Sequence, residues 1–192
     1  MEIKTLFKCE YVTGYLKSID TQSISKMVLS RYHANQTMSK DATSIRNEDV
    51  RIEFNKDIQK LAQALCGVWK KMQGQDIELC WNSTMQGADP NEAAWAVVHG
   101  KGETTNLHSH ESPESYLTGA HVSAAFWVKI PPNSGDFVFQ YRPNPYIVHQ
   151  ETVVPKENHF AMFDSTMLHF VTKNLSDDLR IVISMNFKLL DN

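Results

Sequence analysis

Four of the eight histidines, His99, His108, His110 and His121, fall within 23 residues, and His159 and His169 follow downstream. Imidazoles gathered in this way can hold a transition metal. In an extended strand residues i and i+2 point to the same face, so His108 and His110 in the run Asn106-Leu107-His108-Ser109-His110 present two rings side by side. Two rings are half a metal site, and polar alternation along a surface strand produces the same pair. His169 offers a third ligand from the apolar run Phe163–Val171, where an inward imidazole must find a partner. A hydrogen-bonded core histidine is the other use of that position.

Eleven residues later Arg180 opens the run RIVISMNF, and Val182, Ser184 and Asn186 share its face. An inward arginine in a barrel requires an anion. Its guanidinium is a rigid fork that matches a carboxylate, so an arginine near a metal suggests an acidic ligand that reaches both. A structural salt bridge is the alternative.

These residues need strands to hold them. From Gly87 onward Pro and Gly punctuate short runs rich in Val, Ile, Phe, Tyr and Trp, the pattern of an antiparallel β unit. Strands are expected at 94–99, 104–110, 120–130, 136–141, 147–153, 159–163, 167–172 and 179–188. Eight short strands suit a jelly-roll, two sheets closed over a tapered interior. The first 86 residues read as mostly helical support. One helix over 20–34 starts at the caps Asp20 and Thr21, and a second over 55–73 runs from Asn55 to a stop at Gly74. Residues 35–50 read as a long surface loop. The expected class is mainly β with a helical buttress, one domain over 1–192 with the β core at 87–192.

Composition narrows the function. With 192 residues, 42% hydrophobic, 21% charged and a formal net charge of -3, the chain is an ordinary globular protein. Its basic residues are scattered, so nucleic acid is not expected as a partner. Cys9, Cys66 and Cys80 form no CxxC pair, which points to neither a disulfide framework nor a zinc-thiolate site and suits a reducing cytoplasm. Neither a leader nor a membrane span is expected.

Taken together, His108-x-His110, His169 and Arg180 resemble the iron(II)- and 2-oxoglutarate-dependent dioxygenases. The blocks AWAVVHGKGETTNLHSH, VSAAFWVKIPPNSGDFVF, FAMFDSTMLHFVTKN and RIVISMNF, within residues 94–187, resemble the 2OG-Fe(II) oxygenases with the pattern N-x-H-x-H, S-G-x-Y-Y-x-x-x-P, F-P-S-x-x-x-H and R-I-S-I-S-F-N. The resemblance implies a double-stranded β-helix with iron(II) on His108, His110 and His169. It further implies 2-oxoglutarate held through its distal carboxylate by Arg180, O2 as oxidant, and hydroxylation of a substrate as 2-oxoglutarate becomes succinate.

Three departures stand out. Most such enzymes have a carboxylate where this chain has His110; the neighbouring Glu111 would serve only in a bulged strand. The serine two residues after the arginine is Val182, so Ser123 and His99 are candidates to supply the missing hydrogen bonds. The paired tyrosines are replaced by Phe126 and Trp127, expected to keep the aromatic wall. Between His110 and Ser123 a polar segment carries Tyr116 as a candidate substrate contact. Trp69, Trp81, Trp95 and Trp127 read as core, and His33, His149 and His159 as surface or capping residues. A three-histidine dioxygenase that binds its substrate directly to iron, and a non-catalytic jelly-roll that binds a metal or small acid, are the competing readings. The substrate is expected to be a small molecule or peptide, and a homodimer through the N-terminal elements is possible on the same grounds.

Overall fold

Continuous apolar runs in the second half of the chain are the key to the architecture. Val122–Lys129 reads VSAAFWVK and is buried over its first seven residues, as a strand is when both faces of its sheet are covered. The computed structural model describes residues 9–38, 49–52, 54–80, 93–110, 120–144 and 146–190. In chain order the elements are β1 (Tyr11–Tyr15), α1 (Thr21–Met38), β2 (Asp49–Arg51), α2 (Lys56–Gln73), β3 (Ile77–Leu79), β4 (Ala94–His99), β5 (Thr105–His108), β6 (Val122–Lys129), β7 (Phe137–Asn144), β8 (Ile147–Val153), β9 (His159–Asp164), β10 (His169–Val171) and β11 (Arg180–Leu189).

The strands form two antiparallel sheets. The larger runs β1-β9-β6-β11-β4-β2, with β3 also paired to β11, and the smaller runs β5-β10-β7-β8. Alternation along each strand of the large sheet sorts its side chains. Phe126, Val128, Phe160, Met162, Ile181 and Ile183 pack with Ile24, Val28, Leu61 and Leu65 of the helices. Ala125, Trp127, Ala161, Phe163 and Val182 point the other way and meet Phe137, Phe139 and Val171 of the small sheet. The mainly β jelly-roll with a helical buttress follows from this sorting.

Both helices begin on side-chain caps. Asp20 Oδ1 accepts from the Gln22 and Ser23 amides, each at 3.0 Å, and Asn55 Oδ1 accepts from Asp57 and Ile58 at 3.0 and 3.1 Å. Gly74 ends α2 at φ +72°, a conformation that favours glycine.

Two expectations need correction. The segment 35–50 is not wholly loop: α1 continues to Met38 and β2 occupies Asp49–Arg51; residues 39–48 lie outside the described part. The first 86 residues supply more than helical support, because β1, β2 and β3 join the large sheet. These strands have three to five residues each, too short for a period to register in sequence. Their pairing covers β9 and β4, which would otherwise be edges.

Candidate active site

The last residue of β5 and the first of β10 are register partners: His108 lies opposite His169. His110 follows just beyond β5, its backbone N–H donating to the Ser165 carbonyl at 2.9 Å. The three rings converge, with centroids 4.3 Å apart for His108 and His169, 5.1 Å for His110 and His169 and 5.4 Å for His108 and His110. One nitrogen from each lies within 4.8 Å of the others.

Hydrogen bonds fix which nitrogen each ring presents. Nδ1 of His108 donates to the Asn106 carbonyl at 2.7 Å and Nδ1 of His169 to the Met167 carbonyl at 2.9 Å. Nδ1 of His110 donates to Asn186 Oδ1 at 2.6 Å. A neutral imidazole that donates from Nδ1 keeps its lone pair on Nε2, so three lone pairs are left for one ion. Such donation to a fixed acceptor is the usual companion of metal ligation. Burial, reinforced by the neighbouring rings, pushes His169 down to about 3 and His110 down to about 4, the latter opposed by the Asn186 hydrogen bond. Both rings are therefore neutral near pH 7, the state a metal requires.

Deeper in the same cavity sits Arg180, only 1% exposed. Nη1 donates to Nδ1 of His99 at 3.2 Å. Nε and Nη2 are buried with no hydrogen-bond partner among the described residues. Burial lowers the guanidinium to about 10, with Asp136 pulling the other way, so it remains charged. A buried cation with two unmet donors is strongly unfavourable unless an anion joins it. The cavity beside it, of about 250 Å³, is lined by His108, His110 and His169 as well as by Thr105, Val182 and Asn186. The donor set thus fits a divalent metal at one end and a carboxylate at the other.

Not every expected residue takes its expected place. His99 lies in the cavity wall, fully buried, but its Nδ1 faces Arg180 and its Nε2 lies 2.9 Å from Thr105 Oγ1. Ser123 does not line the cavity: its hydroxyl is 2.9 Å from both His110 Nδ1 and Asn186 Oδ1. It therefore supports a histidine instead of the cosubstrate. Trp127 supplies no cavity wall either, because it packs into the core against Phe137 at a centroid distance of 6.1 Å, and Phe126 faces the helices. Trp95, expected in the core, lines the cavity with its ring centroid 5.5 Å from that of His110. Trp69 is core as expected. Glu111, Tyr116 and Trp81 lie outside the described residues.

Thr105 and Asn186 are the residues that sequence reasoning passed over. Asn186 carried a signal, since it shares the inward face of β11 with Arg180. Thr105 carried none, because β5 and β10 are bulged between His169 and Val171 and the two-residue period fails there.

Residues 93–186 match the model of the family described as "Putative 2OG-Fe(II) oxygenase". Over this stretch, just under half of its length, the chain carries the core of a 2OG-Fe(II) oxygenase. It is accordingly an oxidoreductase of the class that uses Fe(II), 2-oxoglutarate and O2. The fold has solved counterparts. A prolyl-4-hydroxylase from Pseudomonas putida superposes with a TM-score of 0.60 at 10% identity, covering 93% of this chain and 87% of that one. HygX from Streptomyces hygroscopicus, with nickel and 2-oxoglutarate bound, gives 0.60 at 12% identity with 93% and 82% covered. A prolyl hydroxylase from Trichoplax adhaerens, in complex with a hypoxia inducible factor peptide, gives 0.57 at 16% identity with 93% and 83% covered. At these identities the likeness carries the double-stranded β-helix fold. No curated protein matches the chain. Among the described residues no helix is long and apolar enough to cross a membrane.

Proposed function

We propose that His108, His110 and His169 hold the iron(II) of this oxygenase, that Arg180 holds the distal carboxylate of 2-oxoglutarate, and that the oxidation is a hydroxylation. The reaction then reads R–H + 2-oxoglutarate + O2 → R–OH + succinate + CO2. The observation that carries this reading is the pair of unmet donors on Arg180, which share one cavity with three lone pairs directed from Nε2.

Iron(II), when bound, supplies a redox-active Lewis acid that couples decarboxylation of the 2-oxo acid to oxidation of the substrate. The chain's own contribution is orientation and charge. Three protein ligands would leave room on the metal for the cosubstrate and oxygen. The neutral imidazoles add no negative charge, so Arg180 and the metal together present three positive charges to a dianionic cosubstrate. Nε and Nη2 of Arg180 form the fork for its distal carboxylate. His99 takes up Nη1 and turns that fork toward the cavity. Val97, Phe137, Val171 and Val182 give the middle of the cavity an apolar wall that suits a methylene chain.

The substrate in this reading is a small molecule or a peptide that meets the cavity mouth, and a homodimer is compatible with it. Location in the cytoplasm is supported by three free cysteines, with burial pushing the thiols of Cys66 and Cys80 up to about 11.

The test is anaerobic addition of iron(II) and then 2-oxoglutarate, with the visible charge-transfer band of the chelate as readout. The band should appear in the wild type and vanish in His169→Ala. Tight iron binding without a band would favour a dioxygenase that binds its substrate directly to the metal.

A further inference from the structure

His110, one of the three converging imidazoles, leans on two polar side chains from the large sheet. Ser123 of β6 and Asn186 of β11 are Cα register partners on adjacent strands. Both belong to the cavity-side face of the large sheet, Ser123 alternating with Ala125 and Trp127, and Asn186 with Ser184 and Val182. Ser123 is fully buried. A buried serine beside apolar neighbours is retained at some cost unless its hydroxyl is used.

The hydroxyl is used in a closed three-membered network. Asn186 Oδ1 accepts from Ser123 Oγ at 2.9 Å and from His110 Nδ1 at 2.6 Å, and Ser123 Oγ is itself 2.9 Å from His110 Nδ1. The other two histidines of the cluster are fixed by backbone carbonyls two residues before them in the chain, Asn106 and Met167. Backbone within the same segment constrains those rings whatever the neighbouring side chains are. His110 differs, because its partner is a side chain 76 residues away in sequence and is therefore open to substitution.

We propose that Asn186 and Ser123 are positioning residues for the third metal ligand. Asn186 selects the tautomer that puts the lone pair of His110 on Nε2, and Ser123 holds the Asn186 amide so that its oxygen, not its nitrogen, faces the ring. An amide turned the other way would present a donor to Nδ1 and move the ring proton to Nε2, where it would block ligation. Because the acceptor is a neutral amide, His110 stays an ordinary neutral imidazole. A carboxylate in that place would draw on the ring proton and make the imidazole a stronger donor to the metal. This inference rests on the assignment of His110 as an iron ligand.

Three variants test it, with iron(II) affinity, the 2-oxoglutarate charge-transfer band and the melting temperature of the metal-free protein as readouts. Asn186→Ala should weaken iron(II) binding by about 10- to 100-fold. Asn186→Asp should recover much of that affinity and move the band to longer wavelength, since a more electron-rich metal gives up charge more readily to the bound 2-oxo acid. Ser123→Ala, which removes one oxygen from an otherwise intact site, should weaken binding by less than Asn186→Ala does. A purely structural role predicts lowered melting temperatures with unchanged affinity and an unmoved band, and that result overturns the proposal. Should Asn186→Ala fail to fold, unchanged affinity in Ser123→Ala overturns it equally. If the wild type binds no iron(II), the ligand assignment falls and this inference with it; if the wild type binds and the variants match it, only this inference falls.

Discussion

Arg180 and His99 meet twice, once as Cα register partners across β11 and β4 and again through their side chains, where Nη1 donates to Nδ1 at 3.2 Å. The double contact settles the protonation of His99, because a nitrogen that accepts from a guanidinium carries no proton. The remaining proton sits on Nε2, which donates to Thr105 Oγ1 at 2.9 Å. A neutral ring between a cation and a hydroxyl lets Arg180 stay charged with only one of its donor nitrogens engaged.

Arg180→Ala should therefore weaken 2-oxoglutarate binding by about a hundredfold or more, since hydrogen bonds to charged groups are worth about 1.5–3 kcal/mol each and the fork makes two. Titration of the metal-loaded protein with 2-oxoglutarate measures this. Metal affinity should stay near wild type, because Arg180 is no ligand. Equal 2-oxoglutarate affinity in wild type and variant would show that the carboxylate binds elsewhere.

His99 gives a pH dependence. Burial, and then the charge on Arg180, lowers its pKa to about 4, against about 6.5 in the unfolded chain. Between those values the unfolded state binds more protons, so stability falls as pH falls. From pH 7 to pH 5 the loss attributable to His99 is roughly 2 kcal/mol. His110 and His169 shift the same way, so the comparison must be between wild type and His99→Gln in the metal-free protein. Urea denaturation at the two pH values should show a smaller loss in the variant; parallel losses would mean that His99 is already protonated in the fold.

The convergence of His108, His110 and His169 in one cavity with Arg180 was legible because strand alternation is a local rule that sends each of them to the inner face. Helix ends were legible through Asp20, Asn55 and Gly74. What escaped depends on pairing between distant segments. The role of Ser123 is decided by Asn186, 63 residues on, and whether Trp127 or Phe137 walls the cavity depends on how far one sheet overlaps the other. The short β1, β2 and β3 are strands chiefly because β9, β4 and the end of β11 that β4 does not reach offer them backbone to pair with.

Gly135 supports the site from a distance. Its φ is +91°, and a Cβ there would overlap the carbonyl of Thr172, in the turn that leads into β7. The Asp136 amide donates to Thr172 Oγ1 at 2.7 Å, so the turn is tied directly to the segment after β10. Gly135→Ala should destabilise the fold by on the order of 2 kcal/mol, read as a lower denaturant midpoint. Iron(II) affinity at low temperature should be preserved. A midpoint equal to wild type would mean that the turn relaxes without strain.

Val182 is the most informative departure from the family pattern. It lies two residues after Arg180 on the same face of β11 and lines the cavity, at the place where the pattern R-I-S-I-S-F-N has its first serine. Restoring that serine puts a hydroxyl into the cavity that Arg180 also lines, where the distal carboxylate is proposed to lie. The substitution removes buried apolar volume from the wall, so Val182→Ser should lower the stability of the free protein by about 1–2 kcal/mol. Once 2-oxoglutarate enters, the hydroxyl gains a charged acceptor, and affinity should rise by about tenfold, the equivalent of roughly 1.4 kcal/mol. The two effects have opposite signs, which separates a cosubstrate contact from a packing defect. Melting curves with and without metal and 2-oxoglutarate would show a larger ligand-induced shift in the variant than in the wild type. A smaller shift would place the carboxylate away from β11 and count against the assignment of Arg180.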